Sequence, residues 1–235
     1  MGFAKLTSLS LTDLFVRQIE GMILSGELAV GSRLPPAREL AVKMEISRTV
    51  ITAGIVELES LGFVEVHPRQ GVFVCDYRRR GTMDTLVSIM RYNGGTLKRD
   101  EVKSLVELRE AVESVCVRLV IERATDEKLA VLAPILDKMQ RAESNGEAAE
   151  QVFEFHHELC MLSGNMLLPL TYYSFRQPGI KLWEMYCRRY GIQTMYKRKE
   201  NLYAAILNRD LSRALELTHT QMSEVLSGDK SLYTD

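Results

Sequence analysis

The amino-acid sequence predicts a mostly α-helical protein of two domains: three helices with a β-hairpin, followed by an all-α helical bundle. Three observations support this fold class. Apolar residues recur at helical spacing through most of the 235-residue chain. Runs rich in β-branched and aromatic residues flank a turn within residues 63–74. A polar, aperiodic stretch at residues 76–84 then separates this hairpin from the helical periods that follow.

Three helices are predicted before the hairpin. The first begins at the capping residue Ser10 and ends before Gly26. The second starts at Pro35-Pro36, because proline is tolerated in the first turn of a helix. The third is capped by Ser47 and stops at Gly62. Two short helices joined by a tight turn have the proportions of a helix-turn-helix, and the hairpin would be its wing.

The boundaries between domains follow from the same changes of pattern. We expect a winged helix-turn-helix domain over residues 1–75, a linker at 76–84, an all-helical domain over 85–228 and a tail at 229–235. Rows of apolar residues at helical spacing begin near Leu105, Val152, Met195 and Leu211. They predict a bundle of roughly six helices.

Composition excludes several classes of protein. The formal net charge is -1, so the chain does not hold nucleic acid by bulk charge, although a site-specific reader needs only a local basic surface. No apolar run approaches the ~20 residues of a membrane span, and residues 1–10 lack the apolar stretch of a signal peptide. The four cysteines lie far apart, which favours reduced, packed thiols. A cytoplasmic location is expected.

The third helix carries the chemistry expected of a DNA reader. A helix-turn-helix places the first turn of its second helix in the major groove, where small donors and an arginine are needed. Ser47, Arg48 and Thr49 supply both, and the positive helix terminus favours a phosphate. Arg69 and Gln70 add donors in the predicted wing. The alternative is a helical hairpin with a small sheet and no nucleic acid.

Four runs of residues resemble the signature of a known family. They are Gly31-Ser32-Arg33-Leu34-Pro35-Pro36-Ala37-Arg38-Glu39-Leu40-Ala41, Ser47-Arg48-Thr49, Leu58-Glu59-Ser60-Leu61-Gly62-Phe63 and Gly71-Val72-Phe73-Val74. In this order and spacing they resemble GntR-family transcription regulators over nearly all of residues 12–75. The resemblance implies that Arg38 and residues 47–49 contact DNA and that the wing glycine, Gly71, lies against it.

Two positions depart from that family pattern. Thr52 stands where the family usually has a second arginine on the recognition helix, and Gly54 stands where it has alanine. Glycine inside a helix costs about 1 kcal/mol relative to alanine. We therefore expect an operator that differs from the commonest half-site of the family. The residues predicted to contact DNA are Arg38, Ser47, Arg48, Thr49, Thr52, Arg69, Gln70 and Gly71.

The later helices are similar to the FCD ligand-binding domain of the same family over residues 85–226. The matching runs are 108–113, 155–156 with 163–165, and 205–206 with 210 and 214. Many such domains hold a divalent metal with one aspartate and three histidines. The corresponding residues here are Val152, His156, Lys199 and Gln221. Because metal ligands must be neutral or anionic donors, we expect no metal of that kind and no cofactor.

Polar residues at four positions interrupt apolar helix faces of this domain. They are Arg109, His156, Lys199 and Gln221, and we expect them to bind an effector. An arginine and a lysine together suit a small anion such as an organic acid or acyl conjugate. An internal salt bridge from Arg109 to Glu113 is the alternative. The aromatic residues at 172, 173, 175, 183, 186 and 190 either line the pocket or form core and dimer contacts, and core is favoured.

The predicted function is sequence-specific transcription regulation controlled by that effector. A single winged helix makes a small interface, so a homodimer on a palindromic DNA operator is expected. Release from DNA is the commoner outcome in the family and implies a repressor. Three alternatives remain: a metal-responsive regulator using His156, His157 and His219, a regulator whose pocket is filled by its own side chains, and an enzyme. No nucleophile–base motif, phosphate loop or metalloprotease motif supports an enzyme.

Overall fold

The computed structural model describes residues 9–94 and 98–226. The chain divides into two compact units, residues 1–96 and residues 97–235. As predicted, the regular structure of the described residues is helical except for one two-stranded antiparallel sheet. Among these residues, no helix is both long and apolar enough to cross a lipid bilayer.

The first unit contains the predicted three helices and hairpin, followed by two further helices. Its elements are α1 Leu11–Leu24, α2 Ala37–Lys43, α3 Arg48–Ser60, β1 Val64–His67, β2 Gly71–Val74, α4 Tyr77–Arg80 and α5 Met83–Tyr92. Ser10 caps α1 as expected, since its hydroxyl accepts from the Asp13 amide while the Asp13 carboxylate accepts from the Ser10 amide. Strand β1 pairs with β2 from Val64–Val74 to His67–Gly71.

Close packing of α1 on α3 explains the glycine at position 54. The core of this unit includes Phe15, Ile51, Leu58 and Phe63, all almost fully buried. A Cβ atom placed on Gly54 would lie 2.2 Å from the Phe15 ring. From the sequence alone Gly54 is only a cost to helix stability, whereas in the structure its missing side chain makes room for the Phe15 ring.

The structure differs from the expected linker at residues 76–84. Asp76 caps α4 and Thr82 caps α5, and the Thr85 hydroxyl donates to the Leu61 carbonyl at 2.7 Å. Helix α5 also contacts α1. The buried Glu20 of α1 accepts a hydrogen bond from the Ser88 hydroxyl at 2.7 Å and forms an ion pair with Arg91 at 2.9 Å. Helix α5 therefore belongs to the first unit, and the division falls at residue 96 rather than before residue 85.

The described part of the second unit contains eight helices, more than the roughly six expected. They are α6 Arg99–Arg123, α7 Asp126–Leu129, α8 Leu132–Gln140, α9 Asn145–Leu162, α10 Leu167–Ser174, α11 Arg176–Tyr190, α12 Ile192–Leu207 and α13 Leu211–Leu226. Helix α9 packs against α6, α8, α10 and α11, while α13 packs against α6 and α12. The four polar residues predicted to bind an effector, Arg109, His156, Lys199 and Gln221, are buried among these helices.

Candidate nucleic-acid interface and ligand site

The residues predicted to contact DNA lie on the surface of the first unit. Arg38 is in the first turn of α2, residues 47–49 begin α3, and Arg69 and Gln70 form the turn between β1 and β2; all are exposed. Within residues 9–94 and 98–226, Arg38, Arg48 and Arg69 have no ion-pair partner. Exposed arginines with no internal partner can neutralise phosphates without first breaking a salt bridge.

Hydroxyl groups at the start of α3 are partly committed to the helix itself. The Ser47 hydroxyl accepts from the Val50 amide at 3.3 Å and so caps the helix. The Thr52 hydroxyl donates to the Arg48 carbonyl at 2.9 Å. Thr52 can therefore offer a base edge its methyl group and an oxygen acceptor, while its donor stays on the backbone. Apolar contact to a thymine methyl is one way in which threonine reads the major groove.

The wing turn has a backbone that its sequence only partly explains. Arg69 adopts φ 64° and Gly71 adopts φ 126°, both in the region that favours glycine. A Cβ on Gly71 would lie 2.6 Å from Nε of Arg33, so the glycine also makes room for that side chain. Arg33, which bridges to Phe73 beside the sheet and is exposed, was missed by sequence reasoning. Its place at the base of the wing adds a fourth exposed arginine to this surface.

In the second unit, a buried carboxylate gathers three of the polar side chains. Glu113 of α6 accepts a 2.6 Å hydrogen bond from Nη2 of Arg109 and a 2.9 Å hydrogen bond from the Tyr172 hydroxyl. Nδ1 of His156 lies 3.5 Å from the other Glu113 oxygen. Two of the four predicted effector residues thus meet at Glu113, the residue weighed as an internal partner for Arg109. Tyr172 was expected only as an aromatic of the pocket or core.

The other two predicted effector residues contact each other. Nζ of Lys199 on α12 donates to Oε1 of Gln221 on α13 at 2.7 Å. Nε2 of Gln221 in turn donates to the Arg198 carbonyl at 3.3 Å, which fixes the orientation of the amide. In the described part of the chain no carboxylate lies within ion-pair distance of Lys199. Its ammonium group is therefore matched by a neutral amide only.

Burial and neighbouring charges shift the pKa values of this cluster. Burial acts to raise the pKa of Glu113, but the neighbouring imidazole, guanidinium and ammonium outweigh it and lower that pKa to about 2. Burial lowers the pKa of His156 to about 3 against the opposing effect of Glu113. Burial also lowers the pKa of Lys199 to about 7, and Arg109 acts in the same direction. At neutral pH Glu113 is ionised and His156 is neutral.

Two buried polar atoms of the cluster have no hydrogen-bond partner. They are Nε of Arg109 and Nε2 of His156. The Arg109 guanidinium lies 4.4 Å from the centre of the Trp183 ring, and the His156 ring is parallel to the same indole at 6.0 Å. Buried polar groups are rarely left unpaired, because each costs about 1–3 kcal/mol. The free Arg109 N–H is thus a candidate donor to a ligand.

A small cavity opens beside these groups. Its volume is about 20 Å³, room for about one water molecule. Arg109, Lys199, Arg198 and Gln221 supply its polar wall. Its other lining residues are Val106, Leu182, Trp183, Tyr186, Met195, Met222 and Val225. Three of the four predicted effector residues therefore share one cavity, and His156 does not line it. Of the aromatic residues expected mainly as core, Trp183 and Tyr186 form cavity wall.

The residues present do not fit the divalent metal that the resemblance to FCD domains implies. Of the four corresponding positions only His156 is a metal-ligating type, and Nδ1 of that imidazole already faces Glu113. His157 stacks on Phe153 with ring centres 5.5 Å apart, and the exposed His219 contacts Glu110 at 2.7 Å. In residues 9–94 and 98–226 no three His, Cys, Asp or Glu side chains come together as a candidate metal site. A site of that type would also need a ligand at position 152, where the valine side chain has no donor atom.

Known protein families match both the first unit and the second unit of this chain. Residues 13–74 match the bacterial regulatory proteins of the gntR family, and residues 104–224 match the FCD domain. The HTH-type transcriptional regulator LutR of Bacillus subtilis is 27% identical over 88% of this chain and 97% of its own. The Glc operon transcriptional activator of Escherichia coli K12 is 24% identical over 84% of this chain and 80% of its own.

A repressor and a solved structure are also similar to this chain. The HTH-type transcriptional repressor NanR of Klebsiella aerogenes is 23% identical over 92% of this chain and 84% of its own. Among solved structures, that of Lar, which controls the expression of the Listeria monocytogenes agr system, matches with a TM-score of 0.62 and 16% identity. That match covers 94% of this chain and 97% of the other, and it is a likeness of fold.

Proposed function

Because this chain belongs to the gntR family of bacterial regulatory proteins, we propose that a small organic anion, bound beside Arg109 and Lys199, controls its affinity for operator DNA. The chain is a transcription regulator with an FCD domain, not an enzyme.

The observation that carries the proposal is the charge balance of the buried cluster. The cluster contains two buried basic side chains, Arg109 and Lys199, which are 4% and 3% exposed. It contains one carboxylate, Glu113, while His156 is neutral and adds no charge. A buried charge without a partner is costly. One carboxylate of a ligand would balance the Lys199 ammonium and accept from the unpartnered Nε of Arg109.

The size of the cavity supports a regulatory role for such a ligand. An organic acid is larger than the one water molecule that about 20 Å³ accommodates, so binding requires the wall to move. Met195 and Met222 form part of that wall, and methionine side chains adapt readily. The liganded and unliganded states therefore differ in structure. A ligand that prefers one state shifts the population toward it, and operator affinity follows.

On the DNA side, we propose that a cytoplasmic homodimer reads a palindromic operator. Each first unit supplies one recognition helix, α3, whose first turn exposes Arg48 and Thr49, and α2 adds the exposed Arg38. Two-fold symmetric half-sites give a dimer twice the contacts of one winged helix. Repression relieved by the anion is the mode that we propose; by their names, the relatives include both a repressor and an activator.

The experiment compares thermal unfolding and DNA binding in one set of proteins. Lactate, glycolate and pyruvate serve as probes, and operator DNA is first selected from a random pool by the wild type. We expect at least one probe to raise the melting temperature and to change operator affinity. Lys199→Leu should abolish both effects while leaving ligand-free DNA binding intact. The matched control is Lys197→Leu, an exposed lysine on the same helix. Unchanged responses in Lys199→Leu would contradict the proposal.

A regulator without an effector is the second candidate. The 2.6 Å ion pair between Arg109 and Glu113 and the water-sized cavity favour it, since the side chains already fill most of the interior. Under this candidate no anion raises the melting temperature of the wild type. Lys199→Leu would then stabilise the protein at neutral pH by removing a buried amine.

A further inference from the structure

Lys199 occupies an unusual position for a lysine. It is 3% exposed, lines the small cavity and donates to the neutral amide of Gln221. Buried lysines are almost always paired with carboxylates. Here, within residues 9–94 and 98–226, no carboxylate lies within ion-pair distance of its nitrogen. The arrangement gives a cavity-facing amine without the salt bridge that a purely structural lysine would need.

Such an environment favours the neutral, nucleophilic form of the amine. Burial is the main cause, and the neighbouring Arg109 and Arg198 guanidinium groups reinforce it against Glu113, so the pKa falls to about 7. Desolvation together with a neighbouring cation is the known way to activate a lysine for attack on a carbonyl group. A substantial fraction of Lys199 is therefore a free amine at neutral pH.

Arg109 supplies an anchor on the same cavity. Its Nη2 is used by Glu113, but its Nε–H has no partner and the guanidinium is 4% exposed. That donor suits a carboxylate oxygen. The wall of this cavity must move to admit any organic acid, so the smallest acids that also carry a carbonyl group enter with the least rearrangement, and in these the carbonyl lies next to the carboxylate. Molecules of that kind are 2-oxo acids.

We propose that Lys199 binds 2-oxo acids covalently and reversibly as an imine, with the ligand carboxylate held by Arg109. This inference rests on the proposed function and names the class of anion. The amine nitrogen attacks the carbonyl carbon and forms a C–N bond, and an amine proton passes to the oxygen to give the carbinolamine. The C–O bond then breaks, the oxygen leaves as water with the second amine proton, and C=N remains. Hydrolysis reverses the sequence.

The neighbours of Lys199 suit the product as well as the free amine. A protonated imine, formed by taking one proton from water, keeps a single N–H. Oxygen Oε1 of Gln221, 2.7 Å from Nζ in the free protein, is positioned to accept from it. The charge also balances, because the iminium and Arg109 cations are matched by Glu113 and the ligand carboxylate. No oxidant or reductant is required.

Borohydride trapping tests this on the full-length protein. Wild type is incubated with pyruvate or with lactate, which has the carboxylate but no carbonyl, then treated with sodium borohydride and analysed by intact-mass and peptide mass spectrometry. We expect one reduced pyruvyl group per chain on Lys199 and none from lactate. Lys199→Arg keeps a cation but cannot form an imine, so it should show no adduct there. Lys197→Arg, an exposed control on the same helix, should trap pyruvate as wild type does.

Melting temperatures measured with the same probes separate this inference from the proposed function. Stabilisation by lactate and pyruvate that survives in Lys199→Arg, without any trapped adduct in wild type, would overturn the imine and leave anion control standing. Adducts spread over exposed lysines would also overturn it. If neither pyruvate nor lactate stabilises or modifies the wild type, the imine fails and anion control fails for these two acids.

Discussion

The two units place their arginines in opposite surroundings. In the first, Arg38, Arg48 and Arg69 are exposed and have no ion-pair partner within the described residues. In the second, Arg109 is 4% exposed, paired with Glu113 and stacked on Trp183. An exposed arginine loses little hydration on meeting a phosphate, and its contribution depends on salt. A buried arginine must be balanced internally, so removing or adding one charge beside it has a large effect. The first arrangement suits a long polyanion, and the second suits one small, matched anion.

The largest effect expected from this comparison is on the buried carboxylate. Glu113→Gln leaves Arg109 without its anion and should lower the free energy of unfolding by about 3–5 kcal/mol. The matched surface change, Arg48→Ala, should alter it by no more than about 0.5 kcal/mol. Urea denaturation measures both. Equal, small effects in the two units would show that the cluster is not desolvated as described.

The pH dependence of stability gives the next largest effect. The folded-state pKa of Lys199 is about 7, below its ordinary value of 10.5, so the unfolded chain binds more protons between these two values. Stability contributed by this group therefore rises with pH across that window, by at most about 1.4 kcal/mol per pH unit. Lys199→Met should lose that rise when unfolding is followed from pH 7 to pH 10 without ligand. A parallel rise in wild type and variant would contradict a buried, unpaired amine.

In the first unit, the close packing of Gly54 against Phe15 should make the core intolerant of an added methyl group. Gly54→Ala should destabilise by about 2 kcal/mol despite the better helix propensity of alanine, because the new Cβ meets Phe15. Phe15→Leu in the same protein should recover part of the loss. Thermal unfolding of the two single variants and the double variant gives the coupling. Additive losses would mean that the two sites do not share the space.

The smallest effect is expected on DNA binding through single exposed arginines. Arg48→Ala should weaken operator binding by about 1–2 kcal/mol and flatten its dependence on salt, with the melting temperature unchanged. Arg33→Ala tests in the same way the arginine that the structure adds at the wing. Fluorescence anisotropy over a series of salt concentrations measures both. An unchanged salt slope in Arg48→Ala would remove that residue from the interface.

Capping residues, turn glycines and short motifs predicted the helices and hairpin of the first unit well, but they did not predict where this unit ends. The helix caps, the turn glycines and the run around Arg38 are local signals: each lies within a few residues of the helix end or turn that it predicts. The docking of α5 depends instead on polar contacts to distant residues, from Ser88 and Arg91 to Glu20. Such contacts between distant residues leave no signal in the local sequence, which predicts a linker at 76–84 and assigns residues from 85 onward to the second domain.

In the second unit, the sequence located the polar positions and offered Glu113 as a partner of Arg109, but it did not predict the pairing of Lys199 with Gln221. Arg109, Lys199 and Gln221 interrupt apolar faces, which identifies each as a buried polar group. Their division into a Glu113 cluster and a Lys199–Gln221 pair depends on how α6, α12 and α13 pack, and periodicity does not specify that. The small size of the cavity is likewise set by side-chain packing.

Native mass spectrometry of the purified full-length protein, compared with the mass of the denatured chain, tests the central claim most directly. We expect a metal-free dimer that carries a small acidic molecule, and we expect that molecule to be absent from Lys199→Leu prepared in the same way. A dimer that carries zinc, nickel or manganese, or an acidic adduct retained in Lys199→Leu, would contradict a metal-independent anion site at Arg109 and Lys199.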